Sequence, residues 1–261
     1  MGGTAPVGEQ RRQGAMMANE TVVEANAVAM RFGGVNAVDG VSIKLARNEL
    51  RCLIGPNGAG KSTFFKCLSG QLVPTEGEIF LNGTETTGWN VHEVARLGVS
   101  TKTQVPSLMN ALTVHENLWL AARAVRSRTR AEVGDAVTDL LDQLGIAGHA
   151  WTPAGALAHG QRQIVELGVV LASDPWLVLL DEPAGGLTGD EVDRMATLVI
   201  ALAERATVVV VEHDMHFVQA IAQTVTAFHR GRVLAQGLAS EVLADERVRD
   251  VYLGKHHGVK R

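Results

Sequence analysis

The sequence predicts an α/β core with a helical subdomain inserted into it. Three observations carry that expectation. Apolar runs are too continuous for half-exposed strands, a glycine-rich loop lies between a strand and a helix, and residues from about 105 to 173 read as almost purely helical between strands on either side.

The ordered body is expected to start near Thr21, and strand-like runs then occur at 21–30, 41–45, 50–54, 78–81, 98–103, 177–180, 207–211, 225–228 and 232–235. Several are apolar without alternation, such as Leu177-Val178-Leu179-Leu180, which suits strands covered on both faces. Helix starts are marked by S/T-x-x-E spacing at Thr113 with Glu116, Thr129 with Glu132, and Thr188 with Glu191. In that spacing a hydroxyl and a carboxylate satisfy free amides of the first helical turn. The polar residues 1–20 read as a flexible tail, 21–255 as one domain, and 256–261 as a C-terminal tail.

Composition narrows the function classes. A chain of 261 residues, 46% hydrophobic, suffices for one large core. A net charge of -4 leaves no excess of Lys and Arg to neutralise a nucleic-acid backbone, so no nucleic-acid partner is expected. Cys52 and Cys67 are flanked by apolar residues without metal-ligand spacing and read as buried thiols of a reducing compartment. The longest apolar stretches fall far short of the roughly 20 residues that cross a bilayer, so a soluble cytosolic chain is expected.

The loop GPNGAGKS at 55–62 follows the strand LRCLI and precedes KSTFFKCLSG. That is the strand, loop, helix order of the G-x-x-x-x-G-K-[ST] pattern. Gly55, Gly58 and Gly60, with Pro56 in the same turn, let successive amides of Asn57, Ala59 and their neighbours converge on an anion, and the helix start at Lys61, Ser62 and Thr63 adds its positive end. Lys61 is expected to reach the terminal phosphates and Ser62 to ligate Mg²⁺.

Two carboxylates, Asp181 and Glu182, end the apolar run 177–180. Beside a phosphate loop, Asp181 suits a carboxylate holding Mg²⁺ directly or through water. Glu182 suits a residue polarising the water that attacks the γ-phosphate. His213 follows the strand TVVVVE in the equivalent position, where it reads as a γ-phosphate sensor. Gln104 is a further strand-end polar group with reach to the metal or the water.

Taken in order and spacing, the phosphate loop, Gln104, LAHGQ at 157–161, LVLLDEP at 177–183 and His213 resemble the nucleotide-binding subunit of ABC transporters over essentially all of 21–255. The resemblance implies a P-loop ATPase core with a mixed sheet, an antiparallel β part and the inserted helical subdomain. It implies ATP and Mg²⁺ as ligands, with two such subunits sandwiching two ATP molecules. Phe32 sits where the family stacks an aromatic ring on adenine. Ala158, His159, Gly160 and Gln161 belong to the signature element, which in the family reads the γ-phosphate across the dimer.

The chain departs from the family pattern at Ala158, where serine is usual, at His159 for glycine, and at Thr188 for aspartate. Ala158 lacks a hydroxyl to donate, which makes a slow composite site or compensation by His159 the expectation. The altered signature and Thr188 together favour a related but different ATPase as partner over a homodimer. The segments 31–42, 211–218 and 248–254 look like importer ATPases for branched-chain amino acids and for urea or short amides, and the stretches 49–62 and 243–254 with the HGQ form of the signature tilt the expectation to urea. Such a subunit would sit peripherally on the cytoplasmic face of the membrane and dock on two permeases fed by an extracytoplasmic binding protein. The docking surface is expected near Gln104 and residues 105–121, which read equally as subdomain core. A soluble mechanical ATPase and a nucleotide-binding regulatory module are the competing readings.

Overall fold

The computed structural model describes residues 20–104, 107–125 and 128–253. The expected C-terminal tail, and the N-terminal tail up to residue 19, lie outside the described residues.

Two sheets form the molecule. The strands β1 (Thr21–Phe32), β2 (Val35–Ala46), β4 (Glu76–Leu81) and β5 (Thr84–Glu85) make an antiparallel sheet in the order β2-β1-β4-β5. The second sheet holds β3 (Leu50–Ile54), β6 (Val99–Lys102), β7 (Leu177–Asp181), β8 (Thr207–Val211), β9 (Thr224–His229) and β10 (Arg232–Leu238) in the order β10-β9-β3-β8-β7-β6. Its pairings are parallel from β9 through β6, and β10 closes the edge antiparallel, so this sheet is mixed.

The mixed sheet is covered on both faces, as its unbroken apolar strands require. Along β3, Leu50, Cys52 and Ile54 point into a core shared with the helices, whereas Leu53 points into a core shared with the antiparallel sheet. The same alternation divides Val178 and Leu180 from Leu177 and Leu179 on β7.

The α-helices among the described residues are α1 (Lys61–Leu68), α2 (Val91–Arg96), α3 (Val114–Arg123), α4 (Arg130–Gln143), α5 (His159–Ala172), α6 (Gly189–Ala203), α7 (Met215–Ile221), α8 (Ala239–Ala244) and α9 (Glu246–Leu253). Three of them, α3 to α5, fall between β6 and β7. Thr113 and Thr129 accept the amides of Glu116 and Glu132, whose carboxylates accept back from the cap amides. At α6 the exchange is one-sided: the Glu191 carboxylate accepts both the amide and the hydroxyl of Thr188.

The stretch expected as core or docking surface divides into buried and exposed residues. Leu108, Val114 and Leu118 are buried, whereas Met109 and Leu120 are exposed, and Trp151, 74% exposed, stacks on His115 at 4.7 Å. Residues 105 and 106 lie outside the described residues. Among the described residues no helix is long and apolar enough to cross a membrane.

Candidate active site

Neighbouring parallel strands end on the same edge, and here β3, β8, β7 and β6 are neighbours. Their ends carry Gly55, Glu212 with His213, Asp181 with Glu182, and, two residues past Lys102, Gln104. Residues distant in sequence are thereby brought to one rim of the sheet.

The phosphate loop lies hard against its surroundings. Gly55 has φ 149° and Gly60 has φ 104°, both in the region that disfavours side chains. A Cβ at Gly55 would collide with the Phe228 carbonyl oxygen, and one at Gly60 with the Ala37 carbonyl oxygen. Gly231, in the turn between β9 and β10, donates its amide to the Ala59 carbonyl at 2.9 Å and accepts from the Asp39 amide at 2.8 Å. Asn57, Gly58, Ala59, Gly60, Lys61, Ser62, Thr63 and Glu182 line a cavity of about 430 Å³, together with Val35, Asn36, Ala37 and Arg230.

Lys61 is buried and folds back on the loop, donating from Nζ to the carbonyl oxygens of Gly55 at 2.6 Å and Pro56 at 3.2 Å. Burial holds its ammonium below the ordinary lysine range, opposed by the charges of Glu182 and Asp181. Asp181 is 5% exposed, and its Oδ1 has no hydrogen-bond partner. Burial and the adjacent Glu182 push its carboxyl above the ordinary range, with Lys66 and Lys102 pulling the other way. A dry carboxylate oxygen without a donor is costly unless a cation meets it, so the residues fit a hard, oxygen-seeking divalent ion.

Glu182 has φ 50°, a strained conformation for a residue with a side chain. Its amide is held by the Val211 carbonyl at 2.9 Å. His213 Nδ1 stands 3.5 Å from Glu182 Oε1 and 3.8 Å from Glu212 Oε2.

Glu212 is a residue that the sequence reading passed over. It is 1% exposed, accepts the Ala184 amide on Oε1 at 3.1 Å, and accepts the His213 and Asp214 amides on Oε2 at 2.9 and 3.2 Å. One buried carboxylate thus ties the segment after Glu182 to the segment carrying His213. The available signal was a glutamate closing an apolar strand immediately beside that histidine. Val35, Asn36, Ala37 and Arg230 were also passed over, and they carry no motif.

Phe32, Gln104 and residues 158–161 are not among the cavity's walls. Phe32 is half exposed and pairs across the β1–β2 hairpin with Val35, which does line the cavity. Gln104 is exposed beyond the end of β6. At the start of α5, Gln161 Oε1 accepts the Ala158 amide at 3.1 Å, and its Nε2 lies 2.9 Å from His149 Nε2. His159 Nε2 lies 3.1 Å from the Gly185 carbonyl oxygen, and Gly160 abuts the Glu191 carboxylate.

The family model described as "ABC transporter" matches residues 38–185, which hold the phosphate loop, the signature segment and the carboxylate pair. The chain belongs to the ABC transporter ATP-binding family. A second model, "Branched-chain amino acid ATP-binding cassette transporter", matches 232–258 of this ABC ATPase. It is 34% identical over 251 residues to the high-affinity branched-chain amino acid transport ATP-binding protein BraF of Pseudomonas aeruginosa, covering 90% of this chain and 98% of that one. It is 32% identical over 253 residues to LivG of Escherichia coli, a protein of the same description, covering 91% and 99%. Among solved structures, a nucleotide-free ATP-binding cassette from an ABC transporter superposes with a TM-score of 0.80 at 25% identity, covering 90% and 100%. The ADP conformation of the cassette MJ1267 gives the same score and identity, covering 91% and 100%. ABC ATPases of this kind bind ATP and hydrolyse it to power transport, with membrane permease components as partners, and this chain is one of them. The urea-type expectation draws no support from these relatives, which are named for branched-chain amino acids.

Proposed function

We propose that this chain is the motor of an importer for branched-chain amino acids, working from the cytoplasmic face of the membrane. The observation that carries the catalytic part is the shared cavity: Glu182 and the phosphate loop line the same 430 Å³ space, with His213 Nδ1 3.5 Å from Glu182.

In this reading the amides of 57–63 cradle the phosphates of ATP, and Lys61 leaves its loop carbonyls to meet them. Ser62, Asp181 and Gln104 hold Mg²⁺, directly or through water; when bound it neutralises charge on the transferring phosphoryl group. Glu182 accepts the proton of the attacking water, and His213 senses the γ-phosphate beside it. Phe32 stacks on adenine. Residues 158–161 offer the amides of α5 to the nucleotide of a second, related ATPase.

The cargo reading rests on the relatives and on the model matching 232–258. Two permeases would dock at the exposed residues Met109, Leu120 and Trp151 near Gln104, with a binding protein feeding them from outside. The test is uptake by the assembled transporter in sealed vesicles, with labelled leucine and labelled urea in parallel. ATP-driven leucine uptake that stops in Glu182→Gln supports the proposal. Uptake of urea alone would move the chain to the urea type, and hydrolysis indifferent to permeases would make it a soluble ATPase.

A further inference from the structure

Lys102 and Glu166 face each other in the interior, with side chains 4% and 3% exposed and Nζ 3.3 Å from Oε2. Taking two charges out of water costs desolvation on both, and a packed apolar pair of similar volume is often no less stable. Stability alone therefore gives no reason for this pair.

Its position does. Lys102 is the last residue of β6, two before Gln104, and strand pairing sets it opposite Leu180, the neighbour of Asp181. Its charge reaches that carboxylate and draws it down against burial. Glu166 lies seven residues beyond His159 on α5, about 10 Å along the helix from its N-terminus. The pair thus joins the helix that begins at the signature residues to the strand end that leads into Gln104.

We propose that Lys102 and Glu166 are positioning residues that couple the N-terminus of α5 to the strand ends carrying Gln104 and Asp181. Apolar burial is non-directional and fixes no pair of atoms, whereas separating two charges in a dry interior is penalised at once. A displacement of α5 by an arriving anion is therefore passed to β6 instead of being absorbed at the interface. The coupling rests on the reading that α5 receives the γ-phosphate held by the partner ATPase.

The test compares kcat, KM for ATP and melting temperature in the assembled transporter. Lys102→Met and Glu166→Gln each strand one buried charge and lower both melting temperature and kcat. The apolar double variant Lys102→Met/Glu166→Leu melts within about 2 °C of wild type. It keeps KM within about twofold while kcat stays at least about tenfold down. The reversed pair Lys102→Glu/Glu166→Lys regains kcat to within about threefold of wild type. Wild-type kcat in the apolar double variant overturns the proposal, as does a folded reversed pair that is no faster than the single variants. Ala158→Asp separates the two levels of the argument, because aspartate caps the helix while refusing an anion there. Its kcat is expected to collapse; an unchanged rate would overturn the anion reading and the coupling with it.

Discussion

His159 Nε2 stands 3.1 Å from the carbonyl oxygen of Gly185, bonding the start of α5 to the loop that follows Glu182. A carbonyl can only accept, so a hydrogen bond here needs the imidazole hydrogen on Nε2. His159→Ala removes about 1 kcal/mol of tethering from that loop. Amide exchange over residues 185–188 should then quicken by roughly fivefold. Unaltered exchange there would mean that the bond restrains nothing.

Ala158 begins α5 without a side-chain cap, and the Gln161 amide oxygen takes its backbone N–H. Ala158→Ser supplies an N-cap hydroxyl worth about 0.5–2 kcal/mol, or a rise of about 2–4 °C in melting temperature per 1 kcal/mol at this chain length. It also restores the hydroxyl that the signature lacks. ATPase of the assembled transporter should rise several-fold; a stabilised variant with the same rate would remove the slow-site idea.

Glu182→Gln takes away the proposed proton acceptor while keeping shape. The backbone strain at φ 50° is the same for either residue, so it contributes nothing to any change in melting temperature. The turnover rate should fall by about 10²–10⁴ with KM for ATP unchanged. A variant retaining a tenth of the wild-type rate would show that the water is activated elsewhere.

Asp181→Asn trades function for stability. The folded protein holds the Asp181 carboxyl above its ordinary range because of burial and Glu182, so folding favours the protonated form. The sign follows: the ionised carboxylate is absent and costs nothing in acid below the unfolded value, and the cost is fully present once pH exceeds the raised folded value. Without nucleotide, the Asp181→Asn variant should melt with wild type in acid and above it at neutral pH, while Mg²⁺-dependent hydrolysis is lost. A lower melting temperature at neutral pH would contradict the unpaired state of Oδ1.

What could be read from the sequence follows from how local each signal is. The ranges 50–54 and 207–211 were legible to the residue, because each is a fully buried run bounded by turn or polar residues. The first half of β2, 35–40, was not, because it contains Asn36, Asp39 and Gly40 and belongs to a sheet with an open face, where the apolar pattern breaks up. The phosphate loop and the carboxylate pair announced themselves because glycine, lysine and paired acids are rare in that spacing. Glu212 and Lys102 did not: one acts on the amide of Ala184, the other on a carboxylate 64 positions away, Glu166, and neither partner is near in sequence. Phe32, Gln104 and residues 158–161 are not among the cavity's walls, although the sequence spacing grouped them with the phosphate loop.

The loop that would receive ATP is also the seam of the molecule. Gly60 rests on Ala37 of the antiparallel sheet, and Gly231 bonds both Ala59 and Asp39. Three stretches of chain, around residues 37, 59 and 231, therefore share one joint, and whatever stiffens that joint stiffens both sheets together. A nucleotide seated on that loop would therefore bear on both sheets at once.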